Sequence, residues 1–369
     1  MTCLARIRPI GLIAVLAGGL ACLAPGRAGR AADALETEVA QLARDLKSVI
    51  DKDGGGPIVV DAFTGDPRSP GHQGPRIQKE LTDALTKLGA TIDRFAAKYA
   101  ISGEYVEVRP AGDSPPHIKL TTDVKNLEQG ERLTTRTTPR LIFGPETILN
   151  LRGESGHLPP TDDVRKLVEA LDRAHATRPS VAGTVVRTVP ESPFAVEVQV
   201  RSGVAFTPVP LAFDGARHPT QPLAEIGTDA VFAVRLINDG DREAAVDLRI
   251  DGINVFAFSE TKTRYYLLAP RSSVVIPGWH KTDATSTEFK QVGFTDSAAA
   301  RLGLKPSPEV GLITASFSAA WRDDAGRPPD EPPTTTRAAG FGRDVEFGTE
   351  HVDRSIGRPR DVIAVRYER

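Results

Sequence analysis

The chain has 369 residues, 40% of them hydrophobic, with a formal net charge of -2. That length suits about two domains of ~100–200 residues each. A charge so near zero supplies no electrostatic drive toward nucleic acid or an anionic membrane surface, and no basic run offers a local exception.

The first elements form a targeting pattern. Arg6 and Arg8 supply a positive start, an apolar run follows from Pro9 to about Ala24, and small residues and helix breakers (APGRAGRAADA) come next. The run is short for a membrane span and fits a secretory signal peptide over 1–31, with small-x-small cleavage after Ala28 or Ala31. No later segment is apolar enough to cross a bilayer, so the expected location is extracytoplasmic. Both cysteines, Cys3 and Cys22, fall in this leader, which removes disulfides and thiolate metal sites from the body. Leu20-Ala21-Cys22 resembles the end of a lipoprotein cleavage signal, although Gly19 stands where that signal prefers leucine. The resemblance implies a lipid anchor on Cys22. Plain cleavage leaves Cys22 as an apolar leader residue.

Leu35, Val39, Leu42, Leu46 and Val49 recur at helical spacing and predict an amphipathic helix over about 33–50, stopped by DKDGGGP. PIVVDAF predicts a strand at 57–63. After a Gly/Pro-rich loop, Ile77, Leu81, Leu85 and Leu88 predict a helix ended by Gly89. Strands follow at 99–108, 117–124 and 132–138, giving an α/β domain over 33–155. Thr161 is the expected N-cap of a helix carrying Val164, Leu167, Val168 and Leu171, within a connector at 156–192.

From 193 to 369 the period changes. FAVEVQV, AVFAVRLIN, AAVDLRI, INVFAF, YYLLA, SVVIPGW, KQVGF and VGLITASFSAAW predict short strands, with helical spacing only at about 296–303. Asp251-Gly252 is a two-residue hairpin signal, and Asn238-Asp239-Gly240 marks a second turn. A Pro-rich loop at 322–337 precedes a closing strand at 361–368. The expected fold class is α+β: a small α/β domain followed by an antiparallel β-sandwich.

PIVVDAF, RIQKELTDALTKLG and KYAISGEYVEV, over 57–150, resemble the N-terminal domains of bacterial envelope lipoproteins of the FlgO, CsgG and TolB N-terminal type. The resemblance implies an α/β fold and an envelope location. The DGIN turn, Y-x-L-x-P, I-P-G-W, FKQVGF and VGLITASF, over 232–321, are similar to an uncharacterised bacterial envelope module, which implies a fold and no activity.

Catalytic signatures are sparse. Phosphate loop, HExxH, GxSxG and GxGxxG patterns are missing. Gly112-Asp113-Ser114 near His117 faintly matches one Ser-hydrolase pattern, but it lies in a Pro-rich turn. The seven histidines show no ligand spacing, and the acidic turns at 51–54 and 238–241 lack the calcium-loop order, so neither metal nor cofactor is expected. Trp279 and His280, after a predicted strand, and Tyr265 and Tyr266 are the candidate ligand- or partner-binding residues. Trp279 suits either a stacking platform or a core position. Adjacent Tyr265 and Tyr266 face opposite sides of a strand.

The expected function is non-catalytic: binding or accessory assembly at the cell envelope by protein–protein contact. The alternatives are a sandwich that binds carbohydrate or a small ligand, and a hydrolase whose carboxylates come from separate strands. Expected partners are envelope proteins or cell-surface glycan.

Overall fold

The computed structural model describes residues 3–7, 31–65, 74–108, 117–137, 144–215, 218–259, 263–282, 285–301, 310–331, 349–352 and 354–368. The apolar stripe of the first predicted helix forms α1, Ala31–Lys52, and buries Val39, Leu42, Leu46 and Ile50. Ile50 takes the inward place expected of Val49, which is only half-buried. Gly54, Gly55 and Gly56 all adopt positive φ, a conformation that costs other residues strain, and this ends the helix.

α2, Gly74–Lys87, crosses between two parallel strands, Ile58–Thr64 and Tyr99–Val108. His117–Asn126 and Arg132–Thr137 extend that sheet antiparallel, in sequence order. Its core joins α1 and α2 through Leu46, Phe63, Ile77, Leu81, Leu85, Tyr99 and Leu120. The segment ATIDRFAAK forms bends: Ile92 makes one bridge to Ile58, and the Asp93 carboxylate accepts from the Phe95 and Ala96 amides.

Two further helices pack on the same core. α3, Pro145–Arg152, is an addition to the elements expected from sequence. It starts with proline at a first-turn position, where a missing N–H costs nothing, and ends on Gly153 in the left-handed region. α4 spans Val164–Ala176. Its N-cap is Asp163, which accepts from the Arg165 amide at 3.0 Å, and not Thr161, whose hydroxyl instead accepts from the Asp163 amide.

The remaining chain folds as two facing sheets. The larger contains, in order, Leu211–Phe213, Pro222–Glu225, Ser355–Glu368, Leu312–Trp321, Ala244–Ile250, Thr263–Leu268, Cys3–Ile7 and Thr349–Val352. The smaller runs from Gly278–Thr282 through Thr285–Lys290, Val231–Asn238, Phe194–Ser202 and Val185–Arg187 to Ser180–Ala182. The architecture is therefore α+β with a sandwich. Most pairs are antiparallel. Pro222–Glu225 against Ser355–Glu368 and Cys3–Ile7 against Thr263–Leu268 are parallel.

Side chains from both sheets interdigitate. Phe194 stacks on Phe317 at 4.9 Å between centroids, and Phe232 lies 5.4 Å from Tyr367. Such pairs add about 0.5–1.5 kcal/mol beyond their area.

Leu312–Trp321 is buried at every position. Ile313, Ala315 and Phe317 face the sandwich core. Ser316 belongs to the opposite face, which α3 covers, and there its hydroxyl accepts from Asn150 Nδ2 at 3.0 Å. The α/β unit thus packs on the outer face of the large sheet, and Val362 of that sheet joins the α/β core.

Two predicted strands break. SVVIPGW divides at Pro277 into Ser272–Ile276 and Gly278–Thr282. INVFAF keeps only Ile253–Asn254, because Asn254 Oδ1 accepts from the Phe256 amide and bends the chain. KQVGF, expected as a strand, is not one: only its Lys290 belongs to Thr285–Lys290, and Phe294 already starts a 3-10 turn, Phe294–Asp296, followed by the short α5, Ala298–Arg301.

Candidate functional site

The Asp251-Gly252 hairpin forms as the sequence predicts. Asp251 has φ 53° and Gly252 φ 75°, and Ile250 pairs with Ile253. Two successive positive φ values match the right-handed twist of the flanking strands. That conformation points the Asp251 carboxylate into the sandwich end. Its Oδ1 accepts from the Gly311 amide at 2.7 Å and the Leu312 amide at 3.3 Å. The Tyr367 hydroxyl stands 2.9 Å from both carboxylate oxygens and donates into the pair.

Burial pushes the Asp251 carboxyl up, and the Gly311, Tyr367 and Leu312 hydrogen bonds and the Arg366 charge oppose it. Burial, with the neighbouring Asp251 charge, holds the Tyr367 phenol well above its ordinary value, so it stays a donor.

A pocket of about 320 Å³ opens beside this pair. Its floor is a chain of rings. Phe289 stacks on Phe232 at 5.3 Å, and Trp279 meets Phe289 edge-on at 5.3 Å and 84°. Lys290, Gln291, Ser297 and Ala298 form the rim. Lys290 Nζ pairs with Asp229 at 2.6 Å, and the Ser297 hydroxyl donates to the Phe294 carbonyl at 2.6 Å.

Of the four aromatic and histidine candidates, Trp279 alone lines this pocket. It is 9% exposed and packs edge-on against Phe258 as well. His280 is 3% exposed, with Nδ1 3.0 Å from the Ser259 hydroxyl and its ring 4.8 Å from Phe256. Tyr266 packs 4.7 Å from the same Phe256, and burial drives its phenol pKa upward. Tyr265 is half-buried on the other face of its strand, beside Leu267, Ala245 and Ala320. The structure therefore joins His280 to Tyr266 through Phe256 in the core and separates both from the Trp279 pocket. Cys22 and Ser114 lie outside the described residues.

The pocket also contains residues the sequence did not single out: Phe232, Phe289, Lys290 and Tyr367. The hairpin signal at Asp251 was legible. Its partnership with a residue 116 positions later was not.

A second polar cluster ties the α/β unit to the large sheet. Asp361 is fully buried and accepts from Thr188 Oγ1 at 2.6 Å and Ser192 Oγ at 2.5 Å, with His157 Nδ1 at 2.9 Å. The Asp361 hydrogen bond raises the His157 pKa against an opposing burial penalty. Nearby, the buried Glu154 carboxylate meets Arg152 at 3.0 Å and His175 at 2.7 Å. Among the described residues, no group of three or more His, Cys, Asp or Glu is placed to hold a metal ion, and no helix is long and apolar enough to cross a membrane.

No family model, curated protein or solved structure matches the chain.

Proposed function

We propose that this is an exported, non-catalytic binding or accessory assembly protein of the bacterial cell envelope, acting by protein–protein contact. The end pocket of the sandwich is its receptor for an apolar side chain of the partner. The observation that carries this reading is the state of the pocket's polar groups. The Asp251 carboxylate, the Tyr367 hydroxyl, the Ser297 hydroxyl and Lys290 are engaged within the fold. What meets a visitor is ring surface with a polar rim, the composition of an anchor-residue pocket. At about 320 Å³ the space lies at the small end of ligand pockets.

The test places a photo-crosslinking residue at Gln291 in cells. An adduct with an envelope protein that disappears in Ala298→Trp, which fills the rim, is the expected result. Adducts indifferent to Ala298→Trp would remove the pocket from the function.

The second reading, a carbohydrate- or small-ligand-binding sandwich, is favoured by the position of Trp279 in the pocket wall. Glycan-array binding sensitive to Ala298→Trp would select it. The hydrolase reading gains no support from either of two pockets. The sandwich pocket carries Asp251 alone, and a second pocket, beside α1, carries Asp51, which is paired with Lys47.

A further inference from the structure

Among the described residues, every Phe, Tyr and Trp but one is buried or half-buried. The exception is Phe95, which is 94% exposed. Its loop is not a loose end. The Asp93 carboxylate accepts from the Phe95 amide at 2.8 Å and from the Ala96 amide at 3.0 Å, closing a turn that holds the ring outward on a fixed stem. Ile92, just before it, bridges to Ile58 of the four-stranded sheet. Arg94 sets its guanidinium 6.0 Å from the Phe95 ring centroid. The loop therefore presents a preordered ring with a cation beside it, and preordering lowers the cost of binding.

The sandwich pocket is the counterpart of that ring. Its floor is the ring surface of Phe232, Phe289 and Trp279. Phe294 and Ser297 stand on its rim, and the 3-10 turn that links them carries the exposed Asp296. The rim cation, Lys290, is already held by Asp229 at 2.6 Å. An acid thus flanks the mouth of the pocket, and a base flanks the exposed ring. Phe95 belongs to the α/β unit and the pocket to the sandwich. At 94% exposure, Phe95 does not fill the pocket of its own chain.

We propose that the side chain received by the pocket is Phe95 of a second copy of this chain, with Arg94 set against Asp296. This rests on the pocket reading above and names its partner. Val204, at 103% exposure, is the other bare apolar side chain, but it offers no ring, and its neighbours Gly203 and Ala205 bring no charge to the acidic rim. Ring and pocket are different surfaces, so the contact is heterologous. Each copy offers one of each, and copies join head to tail in a closed ring or an open row instead of a symmetric pair.

Sedimentation of the full chain at rising concentration tests this. The mean mass is expected to climb with concentration. Phe95→Ser and Ala298→Trp should each weaken association at least about tenfold. An equimolar mixture of those two variants should associate again and stop at the pair, because one supplies only the pocket and the other only the ring. Arg94→Glu should weaken assembly, and adding Asp296→Arg to it should restore part of the loss. Gln291→Trp fills the same rim should Ala298→Trp fail to fold. Four results would overturn the proposal: a chain that stays monomeric up to about 1 mM, assembly indifferent to Phe95→Ser, assembly lost in Val204→Ser instead, or variants that do not associate when mixed. A monomeric chain whose Gln291 adduct is a different envelope protein, still lost in Ala298→Trp, would sink the second-copy assignment alone. An adduct indifferent to Ala298→Trp would sink the pocket reading itself.

Discussion

The Tyr367 hydroxyl donates into the Asp251 carboxylate from 2.9 Å, joining a hairpin tip to a strand 116 positions later in the chain. This contact closes one end of the sandwich and forms a wall of the pocket. Removing the donor leaves a buried carboxylate short of a partner. Tyr367→Phe is expected to lower unfolding stability by about 1–3 kcal/mol. Urea denaturation checks this. A double-mutant cycle with Asp251→Asn should show coupling above about 0.5 kcal/mol, and simple additivity would refute the pairing.

Phe317 is fully buried and stacks on Phe194 across the sandwich. Phe317→Ala removes a ring that both sheets share. A loss of about 3–5 kcal/mol is expected in the same assay. A loss below about 1 kcal/mol would mean that the two sheets do not depend on this contact.

Gly278 pairs with Glu288, and a Cβ there would run into the Thr287 backbone. Backbone cannot swing aside as a flexible side chain can. Gly278→Ala is expected to cost about 1–3 kcal/mol or more and to displace the neighbouring Trp279, visible as a change in tryptophan fluorescence. An unchanged spectrum and melting temperature would contradict this close approach.

The His157 pKa is raised by its hydrogen bond to Asp361, while burial and the Arg360 and Arg173 charges pull it down. A base whose folded pKa exceeds its unfolded value stabilises the fold fully below the unfolded pKa, about 6.5. That contribution fades as pH rises through the folded pKa. The destabilisation caused by His157→Gln should therefore be larger at pH 5.5 than at pH 8.5. Denaturation midpoints at the two pH values decide it, and a deficit that grows with pH would reverse the assignment.

Much of the fold was legible because local period and turn chemistry agree with the final packing. Asp251-Gly252 announces its hairpin, and VGLITASFSAAW announces a strand whose apolar positions alternate toward the core. The small polar residues of that strand left its second face unread. Ser316 meets Asn150 of α3, a helix too short and too weakly patterned to stand out. The site was less legible. Trp279 and His280 are adjacent and both buried, because the 255–258 turn supplies Phe256 and Phe258 against them. No local pattern shows that a residue will be covered by a turn.

Ser355–Glu368 lies inside the large sheet, between Pro222–Glu225 and Leu312–Trp321, and also pairs with Gly156–His157. It follows every one of those partners in sequence. The ribosome therefore delivers the binding edges of Leu312–Trp321 and Pro222–Glu225 long before the strand that fills the space between them. Such long-range pairing makes closure of this sheet a late and slow event. A nascent chain that ends at residue 354 leaves those two edges without the strand that joins them, so the large sheet stays in two parts until the last residues are made.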